Sequence, residues 1–133
     1  MSYALSTTVH TSFADAVEKT RQALAEQGFG VLTEIDMKAT LKAKLGEDIE
    51  DYLILGACNP PLAHRAVEAD RQIGLLLPCN VVVRSDPSQD GVVIIDAMDP
   101  KVMVQVSDSA QLSEVADDAA AKLRAALASL DAP

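Results

Sequence analysis

Apolar residues follow two different spacings along this chain, and each spacing predicts a type of element. Short runs rich in valine, isoleucine and threonine predict strands, whereas apolar residues three to four positions apart predict amphipathic helices. Strands are predicted at residues 3–10, 30–36, 52–58, 79–85 and 92–97, with a further short strand at 102–106. Helices are predicted at 13–27, at 37–45, from Asn59 to Gly74, and along an apolar stripe that begins after Asp108 and reaches Leu130.

Residues that start and stop helices support these bounds. Polar side chains that cap helix N termini precede the predicted helices, and glycine, which ends helices in a left-handed conformation, follows three of them. The N-cap candidates are Ser12, Asp36, Asn59 and Asp108, and the glycines are Gly28, Gly46 and Gly74. The segment 74–78 is too short for a helix and is predicted to be a buried connection to the next strand.

The order of the predicted elements indicates the fold class. The run Tyr52–Cys58 is apolar almost throughout, which predicts a strand buried on both faces, or on one face with a partner subunit on the other. The turn-rich segment 86–91 predicts a hairpin between the strands that flank it. Hairpin-linked strands with separate helices are typical of an α+β fold with a mainly antiparallel sheet. For residues 52–85 alone, a parallel β-α-β crossover is the alternative.

Length, composition and charge narrow the class of protein further. A chain of 133 residues is expected to form a single domain over residues 1–133. The net charge of −9 repels phosphate backbones and anionic lipid, so neither nucleic acid nor a membrane is predicted as a partner. The start of the chain lacks the pattern of a signal peptide, and no stretch approaches the ~20 apolar residues of a membrane span. A reducing, cytoplasmic location is therefore expected.

The candidate chemistry lies in two Cys-Asn pairs, which contain the only cysteines of the chain. Cys58-Asn59 ends one predicted strand and Cys79-Asn80 begins the next. Antiparallel neighbours bring both pairs to one edge of the sheet, whereas parallel neighbours separate them by about 20 Å. In the first case the two pairs edge a cleft, and Cys58, Asn59, Cys79 and Asn80 are the predicted ligand-binding residues.

The thiols admit several other roles. Both cysteines are suited to inert packing, to a reversible disulfide, or to a soft metal ion. A helix N terminus next to Cys58 favours its thiolate, although Pro60 and Pro61 remove two of the N–H donors there. Two cysteines supply half of the ligands of a zinc site, so no metal and no cofactor are predicted. His64 is predicted to face solvent rather than join the thiols.

Two segments of the chain resemble a known family. These segments are Tyr52–Pro60 and Gly74–Val81, with Ala63 between them, and a strand that starts at Phe29-Gly30-Val31 accompanies them. In these residues the chain resembles the bacterial and archaeal family called domain of unknown function 302. The resemblance covers nearly the whole chain. It implies a curved antiparallel sheet with helices packed across it, similar to the TATA-binding-protein-like group, with β-α-β(4)-α order and inserted short helices. It also implies a tendency to form homodimers, and it implies no function.

Three functional hypotheses follow, and whether the protein is an enzyme is left open between them. The first is a non-catalytic module, homodimeric, that binds a small molecule in the cleft edged by the two Cys-Asn pairs. The second is a thiol-dependent redox enzyme or sensor, with Cys58 as nucleophile and Cys79 as resolving partner. The third is a structural dimerisation domain in which the apolar strand 52–57 forms the dimer surface.

Overall fold

One open antiparallel sheet dominates the computed structural model, which describes residues 3–107 and 109–131. Its five strands are β1 (Ala4–His10), β2 (Gly30–Asp36), β3 (Tyr52–Cys58), β4 (Cys79–Ser85) and β5 (Val92–Met98). Across the sheet they lie in the order β1-β5-β4-β3-β2, and every neighbouring pair is antiparallel. The predicted α+β class is confirmed, and the parallel crossover considered for residues 52–85 is excluded because β3 pairs directly with β4.

Helices pack against this sheet and against one another. They are α1 (Phe13–Glu26), α2 (Met37–Leu45), α3 (Pro60–Ala69), α4 (Val102–Val106) and α5 (Ala110–Asp131), with a 3₁₀ helix at Arg71–Leu76. Within the described residues, no helix is both long enough and apolar enough to cross a lipid bilayer.

The predicted strand at residues 102–106 is wrong, because this segment is helix α4. Backbone N–H groups of Val102 and Met103 bond to the carbonyls of Asp99 and Pro100, each at 3.0 Å. The Met103 side chain is 2% exposed and packs among residues of α3 and α5. Valine favours strands where its side chain packs on a pleated sheet. In this segment, burial of Met103 in a layer of helices outweighs that local preference.

The helix predicted to reach Gly74 is interrupted at Asp70. Asp70 has an extended backbone (φ −155°), and its carboxylate accepts a hydrogen bond from the Gln72 N–H at 3.0 Å. A short polar side chain that bonds nearby backbone groups competes with helical hydrogen bonding, which explains the break. The 3₁₀ helix that follows carries Leu75, which is 86% exposed. The prediction of a buried connection is therefore wrong for this residue.

The predicted caps of the first two helices are confirmed. The side chains of Ser12 and Asp36 each accept a hydrogen bond from the backbone N–H three residues later. Gly28 and Gly46 end α1 and α2 with φ angles of +85° and +71°, which favour glycine because it has no Cβ. The predicted cap Asp108 lies outside the described residues.

Buried side chains form two clusters that meet along α5. The first cluster lies between one face of the sheet and helices α1 and α5. The second joins α3, the 3₁₀ helix, α4 and the N-terminal half of α5. Leu123 belongs to the first cluster and Leu112 to the second, and both are 0% exposed. Because a single helix supplies side chains to both, α5 fixes the second layer relative to the sheet.

The opposite face of the sheet also carries apolar side chains, and we call Ile35, Ile54, Val82 and Ile94 the open face. Ile35, Ile54 and Val82 are aligned by the register of β2, β3 and β4. Ile35 is 46% exposed, the other three are half-buried, and all four lie outside both clusters. Strand β3 is thus packed into the core on one face only.

Gly56 in β3 leaves room for its neighbours on that open face. A Cβ at this position would lie 2.8 Å from Cγ of Pro78 and would overlap the hydroxyl of Thr33. Real Cβ atoms do not approach carbon so closely, so only glycine allows the two side chains to close over β3. This packing holds Pro78 beside the end of β3, where the candidate site begins.

Candidate functional site

A cavity of about 240 Å³ lies beside the C-terminal end of β3 and the N-terminal end of β4. Helices α3, α4 and α5 supply most of its remaining wall, so the cavity separates the sheet from the second cluster. The lining is almost entirely apolar and contains no charged side chain. The lining residues are Phe29, Leu32, Ala57, Cys58, Asn59, Leu62, Ala63, Ala66, Leu77, Pro78, Cys79, Met103, Val115 and Ala119.

Both cysteines lie at this cavity. Ala57 pairs with Cys79 in the antiparallel ladder, which places the neighbouring Cys58 at the same edge of the sheet. Cys79 is 6% exposed, Cys58 is half-buried, and neither forms a disulfide. Both side chains contribute to the cavity wall. The antiparallel arrangement thus brings the two thiols to one space.

The register also determines on which face of the sheet each cysteine side chain begins. Residues directly opposite each other share a face, so Cys79 starts on the face of Ala57, toward the core. Successive residues of a strand alternate between faces, so Cys58 starts on the other side. A disulfide requires Cβ atoms that point toward each other, and this alternation opposes one without movement of the backbone.

Burial reinforces the protonated state of Cys79. Its removal from water, and secondarily the electrostatic effect of Cys58, raise the pKa of the Cys79 thiol from 9.0 to about 11. Cys79 is therefore a neutral thiol at neutral pH. A thiol in this state behaves as a small apolar side chain and is a weak nucleophile.

Asn59 has a structural role that accounts for both ends of its amide. Its oxygen accepts from the Leu62 N–H at 3.4 Å and caps α3, while its nitrogen donates to the Gln27 carbonyl at 3.2 Å. The side chain is 8% exposed. It contributes to the cavity wall, but its polar groups are occupied by the protein itself.

Asn80 is placed away from the other three predicted residues. It pairs with Gly56 and is exposed on the face of the sheet opposite to Cys79. Its side chain is not part of the cavity wall. The structure thus brings together Cys58, Asn59 and Cys79, and it leaves Asn80 apart from them.

Most of the cavity wall consists of residues that were not among the predicted ligand-binding residues. Ala63 and Ala66 lie on α3, and Ala119 lies on α5, where their small side chains leave the space open. An amphipathic stripe interrupted by alanine was the available signal for these positions. Met103 was missed because its segment was predicted to be a strand. His64 is exposed as predicted, with Nε2 3.6 Å from the Glu68 carboxylate.

A second, more polar groove of about 600 Å³ lies between the end of β1, α1 and the end of α5. Its wall includes His10, Lys19, Glu26 and Asp131, so charges of both signs lie along it. It contains none of the predicted site residues. The apolar cavity is therefore the candidate site.

The comparisons with known proteins agree with this fold. Residues 5–130 match the family described as Domain of unknown function DUF302. The chain belongs to the DUF302 family. The resemblance drawn from the two Cys-Asn segments is thereby confirmed.

A solved structure of another DUF302 protein is similar over its whole length. The crystal structure of an uncharacterized conserved DUF302 protein from Bacillus stearothermophilus has a TM-score of 0.86 and 29% sequence identity. The match covers 96% of this chain and 98% of that one. No curated protein matches the chain significantly. The comparisons therefore establish the family and the fold, and they name no ligand or reaction.

Proposed function

We propose that this DUF302 protein is a binding module for a small, neutral, apolar molecule, held in the cavity beside Cys58 and Cys79. The observation that carries the proposal is the cavity wall, which contains aliphatic carbons, sulfur and one aromatic ring but no charged group. Ligand pockets are mostly apolar cavities of roughly 300–1,000 Å³. A cavity of about 240 Å³ lies just below that range and suits a compact ligand.

The same wall argues against a charged ligand. An ionised carboxylate or phosphate loses its hydration in an apolar cavity and needs a charged or hydrogen-bonding partner there. The amide of Asn59 already bonds to two backbone groups, so it is not a strong partner for such a ligand. Neutral aromatic or branched aliphatic molecules fit this wall better than phosphorylated metabolites do.

Three features weigh against the alternative of a thiol-dependent redox enzyme. A resolving cysteine attacks as a thiolate, and the raised pKa of Cys79 keeps it protonated at neutral pH. The side chains of Cys58 and Cys79 also start on opposite faces of the sheet, which opposes a disulfide between them. The cavity wall includes no histidine or carboxylate to act as a base.

Titration with N-phenyl-1-naphthylamine, a neutral dye that fluoresces in apolar surroundings, tests the ligand proposal. We expect saturable fluorescence with the unaltered protein. The variant Ala63→Phe fills the cavity from α3, where Ala63 is half-buried. We expect this variant to bind the dye at least tenfold more weakly, which corresponds to a loss of about 1.4 kcal/mol or more in binding free energy.

The matched control is Ala121→Phe, which adds the same ring at an exposed position of α5 outside the cavity. Its dye affinity should equal that of the unaltered protein. Circular dichroism confirms that both variants fold. Equal dye affinity in folded Ala63→Phe and Ala121→Phe would contradict the proposal, as would the absence of saturable binding to the unaltered protein.

We also propose that two copies associate through the open face. Ile54 and Val82 are apolar, half-buried and outside both core clusters, so a second copy related by a twofold axis can cover them with the same residues. We expect sedimentation at micromolar concentration to show a dimer, and Ile54→Lys to show a monomer. The control Val106→Lys changes a residue that is 69% exposed on α4, and it should remain dimeric. A monomeric unaltered protein contradicts this proposal.

A further inference from the structure

Three side chains that contain sulfur line the same cavity, although they come from separate parts of the chain. Cys58 ends β3, Cys79 begins β4, and Met103 lies in α4. Cys79 and Met103 are 6% and 2% exposed, and Cys58 is half-buried. We propose that these three sulfur atoms form a binding site for copper(I). This proposal goes beyond the binding of an apolar ligand and does not depend on it.

The set of available donor atoms selects the metal. Thiolate and thioether sulfur are soft ligands that favour copper(I), whereas magnesium and calcium require oxygen ligands. The cavity wall supplies no carboxylate and no imidazole. Throughout residues 3–107 and 109–131, no group of three or more histidine, cysteine or acidic side chains is placed to hold a metal ion. Two thiols and one thioether are too few for tetrahedral zinc, but they suit an ion with two or three ligands.

The geometry that opposes a disulfide is compatible with a bridging ion. A disulfide holds its sulfur atoms about 2.05 Å apart and needs converging Cβ atoms. A metal bonded to each sulfur at about 2.3 Å spans sulfur separations of up to about 4.6 Å. Cys58 and Cys79 are diagonal neighbours across β3 and β4 that start on opposite faces. An ion at the edge of the sheet therefore bridges the pair with less movement than a disulfide needs.

Copper(I) binding changes the protonation state of both thiols. Because the thiolate is the form of cysteine that binds metal ions, Cys58 and Cys79 each release one proton to solvent when the ion binds. One copper(I) and two thiolates together carry a single negative charge, and the thioether of Met103 adds a ligand without adding charge. Copper enters as copper(I), so no electron is transferred.

Competition for copper(I) against the chromophoric chelator bicinchoninate, with the full chain and without oxygen, tests this site. We expect the protein to remove one equivalent of copper(I) from the chelator. Loss of a metal ligand should exceed the 10–100-fold cost of losing a partner outside the coordination sphere, so Cys58→Ala and Cys79→Ala should each bind at least about 100-fold more weakly. Copper affinity that is unchanged in either variant overturns the proposal.

A pair of methionine variants separates the thioether ligand from general packing. Met103→Leu conserves volume in the core, and Met98→Leu makes the same change on β5, outside the cavity. We expect roughly tenfold weaker copper(I) binding for Met103→Leu and no change for Met98→Leu. Identical affinities in the two variants, or an unaltered protein that takes no copper from the chelator, overturn the proposal. Dye titration of the same samples distinguishes this result from failure of the apolar-ligand proposal, because the two readouts are independent.

Discussion

Leu123→Ala is expected to lower the free energy of unfolding by about 3–5 kcal/mol. Leu123 is 0% exposed and lies in α5, where it packs between the sheet and α1. Truncation removes apolar contacts and leaves a cavity that the surrounding core fills only in part. The total stability of a domain is about 5–15 kcal/mol, so this one change removes a large share of it.

Urea denaturation measured by circular dichroism gives this difference, and Leu45→Ala is its control. Leu45→Ala is the same chemical change on α2, but the Leu45 side chain is 69% exposed. A surface substitution of this kind should alter the free energy of unfolding by no more than about 0.5 kcal/mol. If both variants lose the same stability, α5 is not packed on the sheet as described.

The strands were predictable because their signals are local. Each core strand is a short apolar run bounded by turn residues, and the segment Asp86–Gly91 identifies a hairpin. The α1 and α2 ends were equally accessible, since a capping side chain and a glycine act within a few residues of the helix. These features require no knowledge of distant packing, and the structure confirms them.

Two elements were mispredicted because packing and local hydrogen bonds compete there. In α4 the valines favour a strand, but burial of Met103 against α3 and α5 determines the conformation. At Asp70 the apolar spacing continues, but the carboxylate bonds to a nearby N–H and ends the helix. The sequence pattern contains both alternatives and cannot rank them.

The candidate site likewise has a part that was predictable from local sequence and a part that depends on packing. The Cys-Asn pairs pointed to one edge of the sheet, and an antiparallel register was enough to bring Cys58 and Cys79 there. The side of the sheet on which each neighbouring asparagine lies depends on the exact register of the strands. This dependence explains why Asn59 lies at the cavity and Asn80 does not. Most of the remaining wall comes from α3, α4 and α5, so it depends on how three helices pack.

Alkaline pH is expected to destabilise the protein through Cys79. Its pKa is raised from 9.0 to about 11 in the folded chain. Below pH 9 the thiol is protonated in both states and has no effect on the pH dependence. As the pH rises above 9, the unfolded chain releases this proton while the folded chain keeps it, so unfolding becomes more favourable. The loss is complete near pH 11 and amounts to roughly 3 kcal/mol, since one pKa unit corresponds to about 1.4 kcal/mol.

Comparison with Cys79→Ala isolates this contribution, because all other titratable groups are the same in both proteins. The free energy of unfolding is measured with urea from about pH 8 to about pH 11. The stability of the unaltered protein should fall relative to the variant between pH 9 and 11, and the two should change in parallel below pH 9. A constant difference over the whole range would mean that Cys79 is as accessible to water in the folded chain as in the unfolded one. That outcome would also contradict the burial of Cys79 in the cavity wall.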